Sequence, residues 1–147
     1  MIMNLYRTDE CTFPMPDGNN WLDCSLNIFR NTHDNSSLIV SRGLIPQERD
    51  FEEELDYQWS LLLNSVELLH TEPRQHRVLP MSPALHALET DCSFRRGAHI
   101  HHQRQLAIYR ADPREMLIFT HTALQPFTDE QNLYWQKLCQ SLCLTQS

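Results

Sequence analysis

A chain of 147 residues is one domain's worth and is long enough to bury a core without staples. With 41% hydrophobic and 21% charged residues and a mean hydropathy of −0.48, its composition is that of a globular domain, neither disordered nor membrane-spanning. The net charge of −7 and a pI near 5.5 repel phosphate backbones, which argues against nucleic acid as a partner.

The opening stretch, MIMNLYRTDECTF, lacks the apolar core of a signal peptide, and no run approaches the ~20 apolar residues of a spanning helix. The five cysteines, Cys11, Cys24, Cys92, Cys139 and Cys143, are odd in number and irregular in spacing, with no C-x-x-C. They describe no disulfide framework or zinc ribbon, and reduced thiols imply a reducing compartment. A cytoplasmic protein without membrane insertion is the expectation. No repeat, linker or low-complexity tract divides the chain, so one domain over residues 1–147 is expected.

PMPDG is a turn signature ending at Gly18. WLDCSLNIFR, residues 21–30, then alternates: Leu26 and Ile28 share one side, Asn27 and Phe29 the other. A polar loop leads to LIVSRGLI, residues 38–45, as the second strand of a hairpin. From Asp50 the period changes. Phe51, Leu55, Trp59, Leu62, Leu63 and Val66 form a helical stripe, with Gln58 beside it. Asp50 and Glu53 resemble a capping box, and acidic residues crowd the first turn, where the helix dipole favours them.

After TEPRQH the chain reads as strands again: RVLPM, ALHALETDCSF, AHIHHQRQLAIY and EMLIFTHTAL, with a turn at ADPR, residues 111–114. Thr128 and Gln131 form a second capping box, and Trp135, Leu138 and Leu142 recur at helical spacing. Hairpin, helix, a meander of about four strands and a closing helix describe an α+β domain. The expectation is a curved antiparallel sheet with helices on one face and the other face open.

The histidine-rich strand carries the candidate chemistry. Its odd positions are His99, His101, Gln103, Gln105, Ala107 and Tyr109; its even positions include His102, Arg104, Leu106 and Ile108. Leu106 and Ile108 suit packing against a helix, which leaves the odd face open. Arg95, Arg96 and Arg104 read as solvated strand and turn surface. His99 and His101 share a face, as metal chelation requires, but no third ligand has diagnostic spacing to them. Exposed strand histidines are the simpler reading. There is no G-x-S-x-G, no H-E-x-x-H and no phosphate-cradling loop with three scattered glycines, so no enzyme, metal or cofactor is expected. Gln103 and Gln105 are either solvated polar residues or hydrogen-bonding groups in an otherwise apolar groove. Leu26 and Ile28 are either core or groove wall, since register decides the face.

Several stretches together carry a resemblance: FPMPDGNNWLDCSLNIF, GLIPQERDFEEELDYQWSLL, PALHALETDCSF, HHQRQLAIYR and LIFTHTALQPFTDEQNLYWQKL. They resemble the Eag chaperones, the effector-associated-gene proteins of bacterial type VI secretion, over about residues 10–143. The resemblance implies a bacterial cytoplasmic homodimer whose sheets form a hydrophobic groove. That groove would shield the N-terminal transmembrane helices of a PAAR/Rhs-type effector before loading and export. It assigns partner binding to Gln58 on the first long helix, to Gln103 and Gln105 on the strand, and to Leu26 and Ile28 as apolar groove positions. Glutamine suits such a groove because its amide donates and accepts without a charge to desolvate. The alternative is a small-ligand or metal-binding sheet domain using His99 and His101.

Overall fold

The computed structural model describes residues 5–16, 24–111 and 114–144. A small antiparallel hairpin, β1 (Leu5–Arg7) and β2 (Thr12–Pro14), stands apart from the main sheet. The rest of the chain runs β3 (Asn27–Arg30), β4 (Ser37–Leu44), α1 (Phe51–Leu63), β5 (Glu67–Thr71) and β6 (Gln75–His76). It continues through β7 (Ala87–Arg96), β8 (His99–Arg110) and β9 (Glu115–Ala123) to α2 (Asp129–Ser141).

β7, β8 and β9 form the meander at the centre of the sheet. The β3–β4 hairpin pairs with it through β4 and β9, and β5 and β6 pair with β7. The result is an open antiparallel sheet of 7 strands with two helices, an α+β fold. Because β4 and β5 lie towards opposite edges, the connection between them, which contains α1, must cross the sheet. The β7–β8 turn has only Gly97 and Ala98 between the paired Arg96 and His99, and Gly97 sits at φ 62°, the left-handed region that such a tight turn demands.

Both helices begin as their sequences dictate. The Asp50 carboxylate accepts from the Glu53 amide at 2.8 Å, and the Glu53 side chain accepts from the Asp50 amide at 3.2 Å. Thr128 and Gln131 repeat the arrangement at 3.1 and 2.9 Å. Each box satisfies amides that the first helical turn leaves without partners.

The register corrects the expected placement of the helices. Ala107 of β8 lies with Leu88, Met116 and Ile118 against Phe51 and Leu55 of α1. Leu106 and Ile108, on the other side of the same strand, lie with Ala87 and Leu117 against Trp135 and Cys139 of α2. The helices therefore cover opposite faces rather than one. The physical reason is that the LAI and MLI runs of β8 and β9 are buried throughout, so both faces need a cover at that end of the sheet.

Other boundaries also move. RVLPM forms no strand. Instead β5 and β6 arise from the stretch read as helix end and loop, because exposed edge strands lack an apolar alternation. Val66 lies beyond α1, which ends at Leu63. In the 21–30 stretch, Cys24–Leu26 belong to no regular element and Asn27–Arg30 pair as strand. The turn at Gly18, residues 21–23 and the centre of the 111–114 turn lie outside the described residues.

Candidate binding face

Side-chain alternation on paired strands divides the sheet into an α1 face and an α2 face. The α2 face holds the strongest electrostatic feature. Arg104, only 5% exposed, points under α2. Its guanidinium donates to Asn132 Oδ1 and to the Gln131 carbonyl, both at 2.6 Å, and to His121 Nδ1 at 3.2 Å. It also lies over the Phe127 ring, 3.9 Å from its centroid. A charge can be buried there because its donors are met and aromatic faces surround it. Burial, reinforced by the Arg104 charge, pushes the His121 pKa down to about 4, so the neutral imidazole acts as acceptor. Arg104 is therefore not the solvated strand surface that its neighbours Arg95 and Arg96 are. An arginine on the same side as Leu106 and Ile108 was the available signal.

Beyond α1, the other face is different. Gln103 and Gln105 of β8 pair with Thr122 and Thr120 of β9, and these continue to Ile39 of β4 and Ile28 of β3. Gln105 Nε2 donates to Thr120 Oγ1 at 3.4 Å, and both glutamines are half-buried. Ile28 is 58% exposed and Leu26, just before β3, is exposed too, so neither belongs to the core. Gln58 is exposed on α1, whose Phe51 and Leu55 pack on this same face. The structure thus brings Ile28, Gln103 and Gln105 onto one face and puts Gln58 on the helix that partly covers it.

The histidines resolve individually. His99 and His101 lie on the α1 face and His102 on the opposite one. His101 stacks on Phe94 at 5.3 Å, and burial followed by the nearby Arg96, His99 and His102 charges holds its pKa down. Among the described residues, the group of three or more close metal-ligating side chains is Glu52, His76 and His86, and it includes neither His99 nor His101.

The family model for DcrB matches residues 10–141. The chain belongs to the DcrB family. That finding overturns the resemblance to the Eag chaperones, and with it the type VI secretion chaperone role and the alternative built on His99 and His101. The structure supplies the reason. QRQL contributes Arg104 and Leu106 to the interior, and PFTDEQNLYWQKL contributes a capping box and the buried Trp135. These stretches carry the DcrB fold and say nothing of a secreted client.

A solved structure agrees on the fold. A crystal structure of PA94 from Pseudomonas aeruginosa, a protein of unknown function described as a candidate regulator, superposes with a TM-score of 0.74 at 22% identity. The match covers 99% of each chain. At that identity it shows the DcrB-family domain's fold alone. No curated protein matches the sequence.

Proposed function

We propose that this DcrB-family chain is a non-catalytic binding domain that takes an uncharged polar segment of a partner polypeptide on the open part of its α1 face. One observation carries the reading. In a chain with 31 charged side chains by sequence (12 basic, 19 acidic), the floor formed by Gln103, Gln105, Thr120, Thr122, Ile39 and Ser41 bears none, and the charge at its rim is Arg30, at the end of the edge strand β3 beyond Ser37 and Thr122. At the same level on the opposite face, Asp91 pairs with Arg104 and Arg104 with His121. An uncharged floor with amides and hydroxyls rejects charged segments, whose desolvation it cannot repay, and exchanges hydrogen bonds with the backbone and side-chain amides of an uncharged polar one.

The non-catalytic reading is supported by where the perturbed groups lie. His121, whose pKa falls to about 4, is held by Arg104 beneath α2; on the α1 face His101 is stacked on Phe94, and burial pushes the Cys92 thiol up to about 11, which keeps it protonated. The candidate-regulator description of PA94 fits a role carried out by binding. A second copy of the chain completes the proposal. Ile28 and Phe29, both exposed, lie on the edge strand β3, where pairing of copies would cover apolar surface. A cytoplasmic location accompanies it, supported by five free thiols.

The test places a photo-crosslinking residue at Gln105 in the native host, identifies the captured segment, and measures its synthetic peptide against the purified chain by fluorescence anisotropy. A peptide without charged side chains that binds the wild type and binds Ile28→Asp at least about tenfold more weakly supports the reading. A captured segment that binds Ile28→Asp equally well, or no capture at Gln105, overturns it. Light scattering should give twice the 17.4 kDa chain mass; a monomer at all concentrations removes the second copy from the proposal.

A further inference from the structure

At the opposite end of the α1 face from the histidine-rich β7–β8 turn, three side chains without a hydrogen-bond or ion-pair partner among the described residues meet. The first turn of α1 carries Glu52, Glu53 and Glu54. Glu53 is committed to the capping box, and Glu54 pairs with Arg49 at 3.1 Å. Glu52 is left with no ion pair or hydrogen bond among the described residues. Facing it are His76 of β6 and His86, which precedes β7. The β6–β7 pairing puts His76 opposite Leu88, whose side chain packs towards α1, so the histidine lies on the helix side of the sheet.

The two imidazoles stack at 5.2 Å with an 11° angle between rings. Phe51 meets His86 edge-on at 5.0 Å, and the His86 carbonyl accepts from the Tyr109 amide at 2.9 Å. His86 is thus held from both sides, yet its Nε2 is buried with no hydrogen-bond partner. A buried ring nitrogen left in that state is costly and calls for an explanation. One ligand atom from each of Glu52, His76 and His86 lies within 4.8 Å of the other two. Together with Asp50, Tyr109 and Arg114 they line a cavity of about 510 Å³. Arg114, on the wall of the same cavity, has one guanidinium nitrogen engaged with the Arg49 carbonyl at 2.8 Å.

We propose that Glu52, His76 and His86 bind one divalent transition-metal ion of the zinc class, tying the start of α1 to the β6–β7 edge of the sheet. Two imidazoles and one carboxylate are the donor set that such borderline ions favour, with a fourth position left to water or an added ligand. Four ligands at about 2.1 Å in a tetrahedron stand about 3.4 Å apart, so ligand atoms that lie within 4.8 Å of one another need close by no more than about 1.4 Å. Glu52 and His76 are exposed and free to make that move, while His86 stays pinned. The Glu52 carboxylate is also favoured where it stands, by the positive end of the α1 dipole. The site is independent of the open face, so failure of one proposal leaves the other intact.

The experiment titrates the tag-free full chain with Zn(II) by calorimetry and with Co(II) by visible absorption, whose band intensity reports four-coordination. The expected result is one ion per chain, with affinity lowered at least about tenfold by His76→Ala and by Glu52→Gln. The His99→Ala/His101→Ala double variant should bind as the wild type does. Because Glu52 and His76 are exposed, both single variants should keep the wild-type circular dichroism spectrum. Absence of saturable binding, or binding retained by His76→Ala and lost in the double variant, overturns the assignment.

Discussion

Gln105 and Leu106 are neighbours on β8, yet they belong to different parts of the protein. Leu106 is fully buried among Ile108, Leu117 and Trp135 beneath α2. Gln105 stands half-exposed on an uncharged floor beside Thr120. One strand therefore serves as core on one side and as candidate recognition surface on the other. The comparison teaches that the position of the helices, not the composition of the strand, decides which side is which. Farther along β8, Ala107 is as buried as Leu106 because α1 has reached that end of its face.

The largest way to test this division is Leu106→Ala. It should cost about 2–5 kcal/mol in urea unfolding, since the cavity opens in a dry cluster that cannot easily collapse. A loss below 1 kcal/mol would mean that α2 does not hold this face closed.

A second test exploits His121, whose pKa is about 4 in the folded chain against an ordinary value of 6.5. Protonation then favours the unfolded chain. The associated stability is complete above pH 6.5 and is lost as pH falls towards 4, by up to about 3 kcal/mol. The advantage of the wild type over His121→Gln should therefore shrink by about that amount between pH 7 and pH 4. A pH-independent difference would place the imidazole in contact with water, contrary to its burial.

Arg104→Lys probes the same network more gently. Lysine keeps the charge but cannot reach Asn132, the Gln131 carbonyl and His121 together with one planar fork, so a loss of about 2 kcal/mol is expected. Full stability in the lysine variant would show that charge alone, without the fork, suffices.

The smallest effect belongs to the other face. Gln105→Ala should change stability by no more than about 0.5 kcal/mol, because its one hydrogen bond is long and water is at hand. A large loss would make Gln105 a structural residue and remove it from the candidate surface.

Much of the fold was legible in particular residues. The Asp50–Glu53 and Thr128–Gln131 boxes marked both helix starts, because capping is a local matter of side chains reaching amides three residues away. The long central strands were legible from alternation and from the turn at Gly97. β5 and β6 were not, since an exposed edge strand buries too little to show a period. The LAI and MLI runs announced strands covered on both sides, but an alternating reading of β8 concealed it. At the candidate face, Gln103, Gln105 and Ile28 could be placed on a strand and a side, yet their meeting depends on β3 joining β9 through β4. The Glu52, His76 and His86 group has no sequence spacing to reveal it, because its members come from a helix, an edge strand and a strand entrance.

By itself, then, the sequence determined what is local: the α+β class, both helix starts, the alternation of β8 and the acidic first turn of α1. The tertiary structure decided everything that rests on register and crossing. It sent the helices to opposite faces, drew Arg104 under α2, and left an uncharged floor open beyond α1. Local structure follows from steric and hydrogen-bonding preferences within a few residues. Which side of a strand becomes interior depends on long-range pairing and on where a crossing helix lands, and no short stretch of chain carries that information.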